Sequence, residues 1–396
     1  MKWFIFIVTL VACTLLFAAG KENSISVNKN TGDTDTTTGI PSFASVIEGN
    51  SNLYRSSYSL KDLEMVIQEK RNTAFLLGES KEGRKINAYY IPGSSPLKAL
   101  VIAGVHGSEL SSIDVAYWLL NGLLHGEQPY YSVIIVPALF PDNAFKAMSE
   151  PAQIGGTSNI GRYSHTGAID PNRQMPSPGK AFDEENATDH AGRKIEQENR
   201  LLLQLIHLFK PQRIANIHAI RDTSYGGIYA DPRTDQHGLA LGYTTDSILA
   251  IGMASFIHQR GGNVAGNKPD RSPTALYYKD PRPSPAGFLQ KRNMTGSVLN
   301  AKRGSGVSLG TWGSTAIVNE KDSLKNRDAM RVITIEYPGY KRSSDHSTVS
   351  RRLAEQRQTE LFAAAIKDIF LANFCPEAES SGMPDGPAYT TMKSYP

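Results

Sequence analysis

A chain of 396 residues, 40% of them hydrophobic, carries enough apolar material for one large core or two modest ones. Its formal net charge is +4, with acidic and basic residues intermixed and no long basic run, which argues against a nucleic-acid partner. Cysteine occurs only at Cys13 and Cys375, so no disulfide framework is expected in the mature protein.

The chain opens like an export signal. Met1-Lys2 gives a positive start, residues 3–19 are mostly apolar, and Ala18, Ala19 and Gly20 precede polar Lys21, as at a signal-peptidase site. Residues 1–20 are therefore expected to be a signal peptide, and the protein to be exported to a periplasmic or extracellular location. A retained membrane anchor is the competing reading, because the stretch approaches the ~17-residue lower limit for spanning. Leu10-Val11-Ala12-Cys13 also resembles a lipoprotein processing box, but apolar residues continue past it. Residues 21–50, rich in Ser, Thr, Asn, Asp and Gly, read as a flexible tether, and residues 376–396 as a similar tail. Between them, residues 51–375 form the expected catalytic domain.

Ser59 is a plausible N-cap for a helix with Leu63, Val66 and Ile67 on one face. Residues 73–78 and 85–91 read as paired strands around a turn at Lys81-Glu82-Gly83. Residues 99–103 form a continuous apolar run, the mark of a buried strand. A helix over 109–124 follows, with Val115, Leu119 and Leu123 inward, and then a buried strand over 132–139. Further along, the pattern gives a helix over 194–208, a strand over 214–217, a helix over 247–258, a strand over 331–335 and a closing helix over 350–373. Strands alternating with helices predict a single α/β domain with a mixed, mostly parallel central sheet flanked by helices.

Four polar signatures close or follow the apolar runs: His106-x-x-Glu109, Asp170-Pro171-Asn172-Arg173, His218 and Glu336. His106, His218 and Glu336 lie at or just past the C-terminal ends of predicted strands, where open α/β sheets place ligands. His106 and Glu109, three apart at a strand-to-helix turn, can face one point, and zinc favours imidazole while accepting carboxylate. Glu109 alone also reads as a first-turn charge favoured by the helix dipole. The other histidines (His125, His165, His190, His207, His237, His258 and His346) fall in loops or on helix faces. Arg173 offers a planar fork of donors that fits a carboxylate, with the Asn172 amide beside it, although Asp-Pro-Asn is also ordinary turn chemistry. Glu336 emerges from an apolar strand, a costly place for a charge without a partner. Beside a zinc-bound water it has one, as a general base.

In this order and context the signatures resemble the carboxypeptidase A family of zinc peptidases, over roughly residues 59–373. The resemblance implies a carboxypeptidase-like fold and one zinc ion per chain on His106, Glu109 and His218. Asp170 would orient His106. Asn172 and Arg173 would hold the free C-terminal carboxylate of a peptide, Arg162 would stabilise the oxyanion, and Glu336 would be the catalytic base and proton shuttle. The sequence departs from the digestive members: no tyrosine lies between Tyr278 and Glu336, Trp312 falls in that region, and the grip continues as Gln174-Met175-Pro176. These features look more like the bacterial branch that cleaves murein peptides, which makes a murein peptide the candidate substrate. The related N-acyl-amino-acid deacylases, such as aspartoacylase and succinylglutamate desuccinylase, share this ligand set and grip, and stand as the alternative. A catalytically dead binding module at the envelope is a third reading, against which every ligand and Glu336 are present. The residue that reads the substrate's terminal side chain is not assignable from sequence, with Lys321 and Asp322 in the general stretch.

Overall fold

The computed structural model describes residues 50–164, 169–239, 241, 243–267 and 306–373. The expected leader, most of the tether and the tail lie outside the described residues. Eight strands form one sheet: β1 (Tyr54–Ser59), β2 (Thr73–Glu79), β3 (Lys85–Ile91), β4 (Lys98–Ala103), β5 (Ser132–Val136), β6 (Arg213–Ile220), β7 (Gly227–Asp231) and β8 (Arg331–Pro338). Their order is β1-β2-β3-β5-β4-β6-β8-β7. The centre, β5-β4-β6-β8, is parallel, and antiparallel pairs flank it on both sides. The sheet is thus mixed and mostly parallel, with helices on both faces.

Apolar residues of the central strands alternate between the two faces, as the period of a strand requires. Ala99, Val101, Val133, Ile135, Ala215, Ile217, Ile333 and Ile335 point into one core cluster. That cluster is completed by α2 (Leu110–His125), α5 (Tyr243–Gln259) and α7 (Val349–Ala365). Leu100, Ile102, Ile134, Val136, Ile214 and Val332 point into the other, against α1 (Leu63–Gln68) and α4 (Gln197–Phe209). From β4 the chain crosses one face through α2 to reach β5. It then passes through α3 (Pro141–Ser149), whose Ala144 and Ala147 join the same core cluster as α2, and crosses the other face through α4 to reach β6, on the far side of β4. The strand order therefore reverses about β4, and the crevice at the C-terminal ends of β4 and β6 is a topological switch point.

Several boundaries differ from the expectation for local reasons. β5 stops at Val136 because Pro137 has no N–H to continue the ladder. Leu139 and Phe140 instead donate to the carbonyls of Ala103 and Gly104 at 3.0 Å each, tying this segment to the end of β4. The closing helix widens into a π-helical turn at Ile366–Phe370, where buried Arg213 donates to the Phe370 carbonyl at 2.8 Å. Among the described residues, no helix is long and apolar enough to cross a membrane.

Candidate metal centre and binding cavity

β4 ends at Ala103, and Gly104, with φ of +65°, turns the chain out of the sheet. The turn carrying His106 and Glu109 then packs against α3 so closely that a Cβ at Gly107 would sit 2.2 Å from the Ala144 nitrogen. Glu109 lies at the threshold of α2, its N–H donating to the His106 carbonyl at 3.0 Å. His218 comes from inside β6, on the same face as Asn216, and pairs in register with Glu336 of β8. Three elements thus converge on one point, and His106, Glu109 and His218 are all buried there.

The Glu109 carboxylate is bracketed by the two rings. His106 Nδ1 lies 2.8 Å from Oε1 and His218 Nδ1 lies 2.9 Å from Oε2. The opposite nitrogens are held from behind. His106 Nε2 is 2.8 Å from Asp170 Oδ1, and His218 Nε2 is 2.9 Å from Asn216 Nδ2 and 3.2 Å from Asn172 Nδ2. One donor atom from each of His106, Glu109 and His218 lies within 4.8 Å of the others, a spacing that fits a shared metal ion. The outer partner of His106 fits the same reading. An Nε2–H on His106 bonds Asp170 and leaves Nδ1 as the lone pair, the arrangement typical of a metal-bound imidazole. On the other ring, buried Asn216 Oδ1 has no hydrogen-bond partner while its Nδ2 faces Nε2. Turning that amide over would let Oδ1 accept an Nε2–H, whereas Asn172, its orientation set by Leu309, presents Nδ2 to the same nitrogen and favours it as an acceptor.

The electrostatics are dominated by burial and its compensation. Burial pushes the Glu109 carboxyl up, but His106 and His218 together hold it well below the ordinary carboxylate range. Burial likewise opposes ionisation of Asp170, and His106 and Arg162 more than offset it. For His106, burial and Arg162 act against the proton, while Glu109 and Asp170 outweigh them and raise its pKa. Arg162 Nη1 donates to Glu109 Oε1 at 2.8 Å, and its Nη2 lies 3.8 Å from Asp170 Oδ2.

All eight residues singled out in the sequence line one cavity of about 710 Å³. Pro171, Asn172 and Arg173 form a 3₁₀ turn whose N-cap Asp170 accepts from the Asn172 N–H, so the same carboxylate that holds His106 also shapes the turn carrying Asn172 and Arg173. Asn172 Oδ1 accepts from the Leu309 N–H at 3.1 Å, which aims its Nδ2 at the metal-site rings. Arg173 Nη1 donates to the Asn172 carbonyl at 2.7 Å, and Arg193 Nη2 donates to the Arg173 carbonyl at 2.9 Å. Glu336 is half-buried on the cavity wall.

The cavity also holds residues that sequence reasoning missed: Asp231, Thr334, Tyr340 and His190. Thr334 was accessible through strand alternation, two residues before Glu336. Tyr340 follows Glu336 by four residues, after the strand has ended, and burial, with Glu109 next, holds its phenol above the ordinary value. Trp312 lies elsewhere, buried with Nε1 on the Lys180 carbonyl at 2.9 Å and the Arg327 guanidinium 4.1 Å from its ring. Lys321 and Asp322 belong to an exposed turn before the 3₁₀ segment Ser323–Lys325 and do not line the cavity. His165 lies outside the described residues.

No family model and no curated protein matches the chain in sequence. Solved structures similar to it include the carboxypeptidase A of Helicoverpa armigera, at 15% identity and a TM-score of 0.44 over 79% of this chain and 72% of that one. The murein-tripeptide amidase MpaA of Escherichia coli O157 aligns at 16% identity and a TM-score of 0.38, covering 74% of this chain and 91% of that one. A putative succinylglutamate desuccinylase/aspartoacylase from Shewanella frigidimarina aligns at 12% identity and a TM-score of 0.38, over 76% and 72%. What the cavity does follows from its own residues.

Proposed function

We propose that the protein is an exported zinc-dependent metallocarboxypeptidase that removes the C-terminal residue of a peptide, with murein peptides as the candidate substrates. The observation that carries this reading is the buried His106–Glu109–His218 donor set, with Glu336 in register beside His218 on a cavity shared with Asn172 and Arg173. Zinc would be held by His106, Glu109 and His218, and when bound it supplies a Lewis acid that acidifies water and polarises a carbonyl. Two imidazoles and one carboxylate would supply three ligands, the number that catalytic rather than structural zinc sites draw from the protein.

The chain's own residues carry the rest. Arg173, with the Asn172 amide, binds the substrate's terminal carboxylate and sets which peptide bond lies at the metal site. Glu336 accepts a proton from the attacking water as the C–O bond forms, and returns it to the amine as the C–N bond breaks. Arg162 stays charged because Glu109 and Asp170 outweigh its burial, and it neutralises the charge developing on the carbonyl oxygen. Asp170 fixes the His106 ring. The apolar leader at residues 1–20 supports action outside the cytoplasm, where murein peptides are met.

Matched peptides with a free or an amidated C-terminus test the reading. The free peptide should lose its last residue, and amidation should suppress cleavage by at least roughly tenfold, the worth of a charge-assisted contact. Equal cleavage of both would remove the carboxylate grip. Release of an acyl group from N-acyl amino acids, with peptides left intact, would instead identify a deacylase.

A further inference from the structure

We infer that Arg221 reads the substrate on the upstream side of the bond cleaved, and that the enzyme prefers a peptide whose penultimate residue carries a carboxylate. The inference rests on the carboxypeptidase reading and adds to it a preference that the metal site and the grip leave open.

Arg221 follows β6 by one residue and His218 by three, and as an exposed residue it lines the rim of the cavity. Three residues of extended chain advance by up to ~10 Å, from the buried metal site towards solvent. A peptide whose last residue lies within the cavity leads its remaining residues out over the rim, and a glutamate and an arginine side chain together span the gap from there. The guanidinium takes part in no ion pair among the described residues. Its Nη1 donates to the Gly155 carbonyl, which leaves most of its five donors for a ligand. Asp222, next in the chain, is turned into its own 3₁₀ turn, where Oδ1 accepts from the Ser224 N–H at 3.1 Å and from Ser224 Oγ at 2.7 Å.

The loop that Arg221 holds supplies a second donor. Gly155, with φ of +69°, lets the arginine lie across it, and a Cβ there would fall 3.3 Å from Arg221 Cδ. Asn159, half-buried on the cavity wall, stands at φ of +44°, a left-handed conformation uncommon outside glycine. Its backbone is engaged, the N–H on the Gly156 carbonyl at 3.1 Å and the carbonyl on the Arg162 N–H at 3.2 Å. Its side-chain amide has no hydrogen-bond partner among the described residues. Further on, the Gly161 carbonyl accepts from the Ser108 N–H at 3.1 Å and Arg162 reaches Glu109. The loop is thus anchored on the metal-site turn at one end and on Arg221 at the other. The grip is held by other elements, with Asn172 Oδ1 on the N–H of Leu309 at the start of α6 (Leu309–Gly313). An unpaired cation and a spare amide donor therefore border the metal site apart from the grip, and such a pair suits a second carboxylate.

The test measures binding apart from cleavage, on zinc-loaded Glu336→Gln protein. Acetyl-Ala-Glu-Ala and acetyl-Ala-Gln-Ala differ only in whether the penultimate side chain ends in a carboxylate or an amide. Calorimetry at low salt should show the glutamate peptide bound at least roughly threefold tighter, since exposed charge pairs are worth a few-fold. The ratio should fall towards one at ~1 M salt, where such pairs are screened, and likewise when Arg221→Gln is added. If Arg221 only holds the loop, Arg221→Gln will weaken both peptides alike. A ratio near one with Arg221 in place, binding of neither peptide, or an undiminished ratio in folded Arg221→Gln would overturn the assignment. If that variant does not fold, the low-salt ratio and its loss at high salt decide. Turnover by the native protein reports separately on the reaction. A glutamate preference without release of the terminal alanine would keep the Arg221 contact and remove the carboxypeptidase activity, whereas alanine release without the preference would do the reverse.

Discussion

Glu336 owes its aim to strand alternation. Ile333, Ile335 and the buried Tyr337 point into the core, so Thr334 and Glu336 are turned to the cavity. Hydrogen-bond register then puts Glu336 beside His218. Glu336→Gln keeps the shape and removes the accepting charge. Turnover should fall ~10²–10⁴-fold, the usual worth of a positioned acid–base group. Zinc stoichiometry should stay at the native value, since no proposed ligand is touched. Near-native turnover would exclude Glu336 from proton transfer, and loss of zinc would assign it to the ligand set. At this scale the sequence was informative where chemistry sits in a compact motif: His106 with Glu109, and Asp170 with Asn172 and Arg173. It was silent where a role depends on a neighbouring strand. Asn216 behind His218, and Asp231 with Thr334 on the cavity wall, are recognised only once β6, β8 and β7 are paired.

Elements with a strong apolar period were legible, and those without one were not. β4, α2, α4 and β6 bury nearly every residue they turn to the core and read directly from the pattern. β1 is a polar, largely exposed edge strand, so nothing in its period marks it. β7 is five residues long and starts at a glycine, which reads as loop until β8 is there to pair with it. α3 announces itself only by proline in its first turn. The interface of α2 with α7 carries a titratable element as well. Burial, then the nearby Asp345 and Glu355 acting against Arg342, raises the Asp114 carboxyl to about 7. A raised folded-state pKa means that the stability associated with the bound proton is complete at pH below ~4, where the unfolded carboxyl is also protonated. That stability is lost as pH climbs from there through about 7, by up to ~1.4 kcal/mol per pH unit. Asp114→Asn is neutral throughout. Its melting temperature relative to the native protein should therefore rise between pH 4 and pH 8, by an amount on the order of a few kcal/mol in stability. An unchanged difference at the two pH values would show that Asp114 ionises without cost.

For the molecule as a whole, the three donors tie together the end of β4, the start of α2 and the C-terminal part of β6, and hence both crossovers at the switch point. An ion bound there joins segments more than a hundred residues apart, so its binding free energy should appear as folding free energy. At zinc a thousandfold above its dissociation constant the gain would be ~4 kcal/mol, enough to move the melting temperature by several degrees. The mostly parallel sheet with its reversal at β4 explains why a site drawn from residues 106 to 336 closes into one cavity. The sequence indicated the strand-end positions, whereas the order of the strands, which decides who stands beside whom, came from the structure.

The most direct test of zinc-dependent carboxypeptidase action is a zinc titration of chelator-treated protein, following release of the C-terminal residue from a peptide and bound zinc in the same samples. Activity should be absent without metal, return in proportion to zinc, and reach its plateau at one zinc per chain, while His106→Ala with His218→Ala should neither bind the ion stoichiometrically nor recover turnover. Full activity in the metal-free protein, or stoichiometric zinc retained by the double variant, would contradict it.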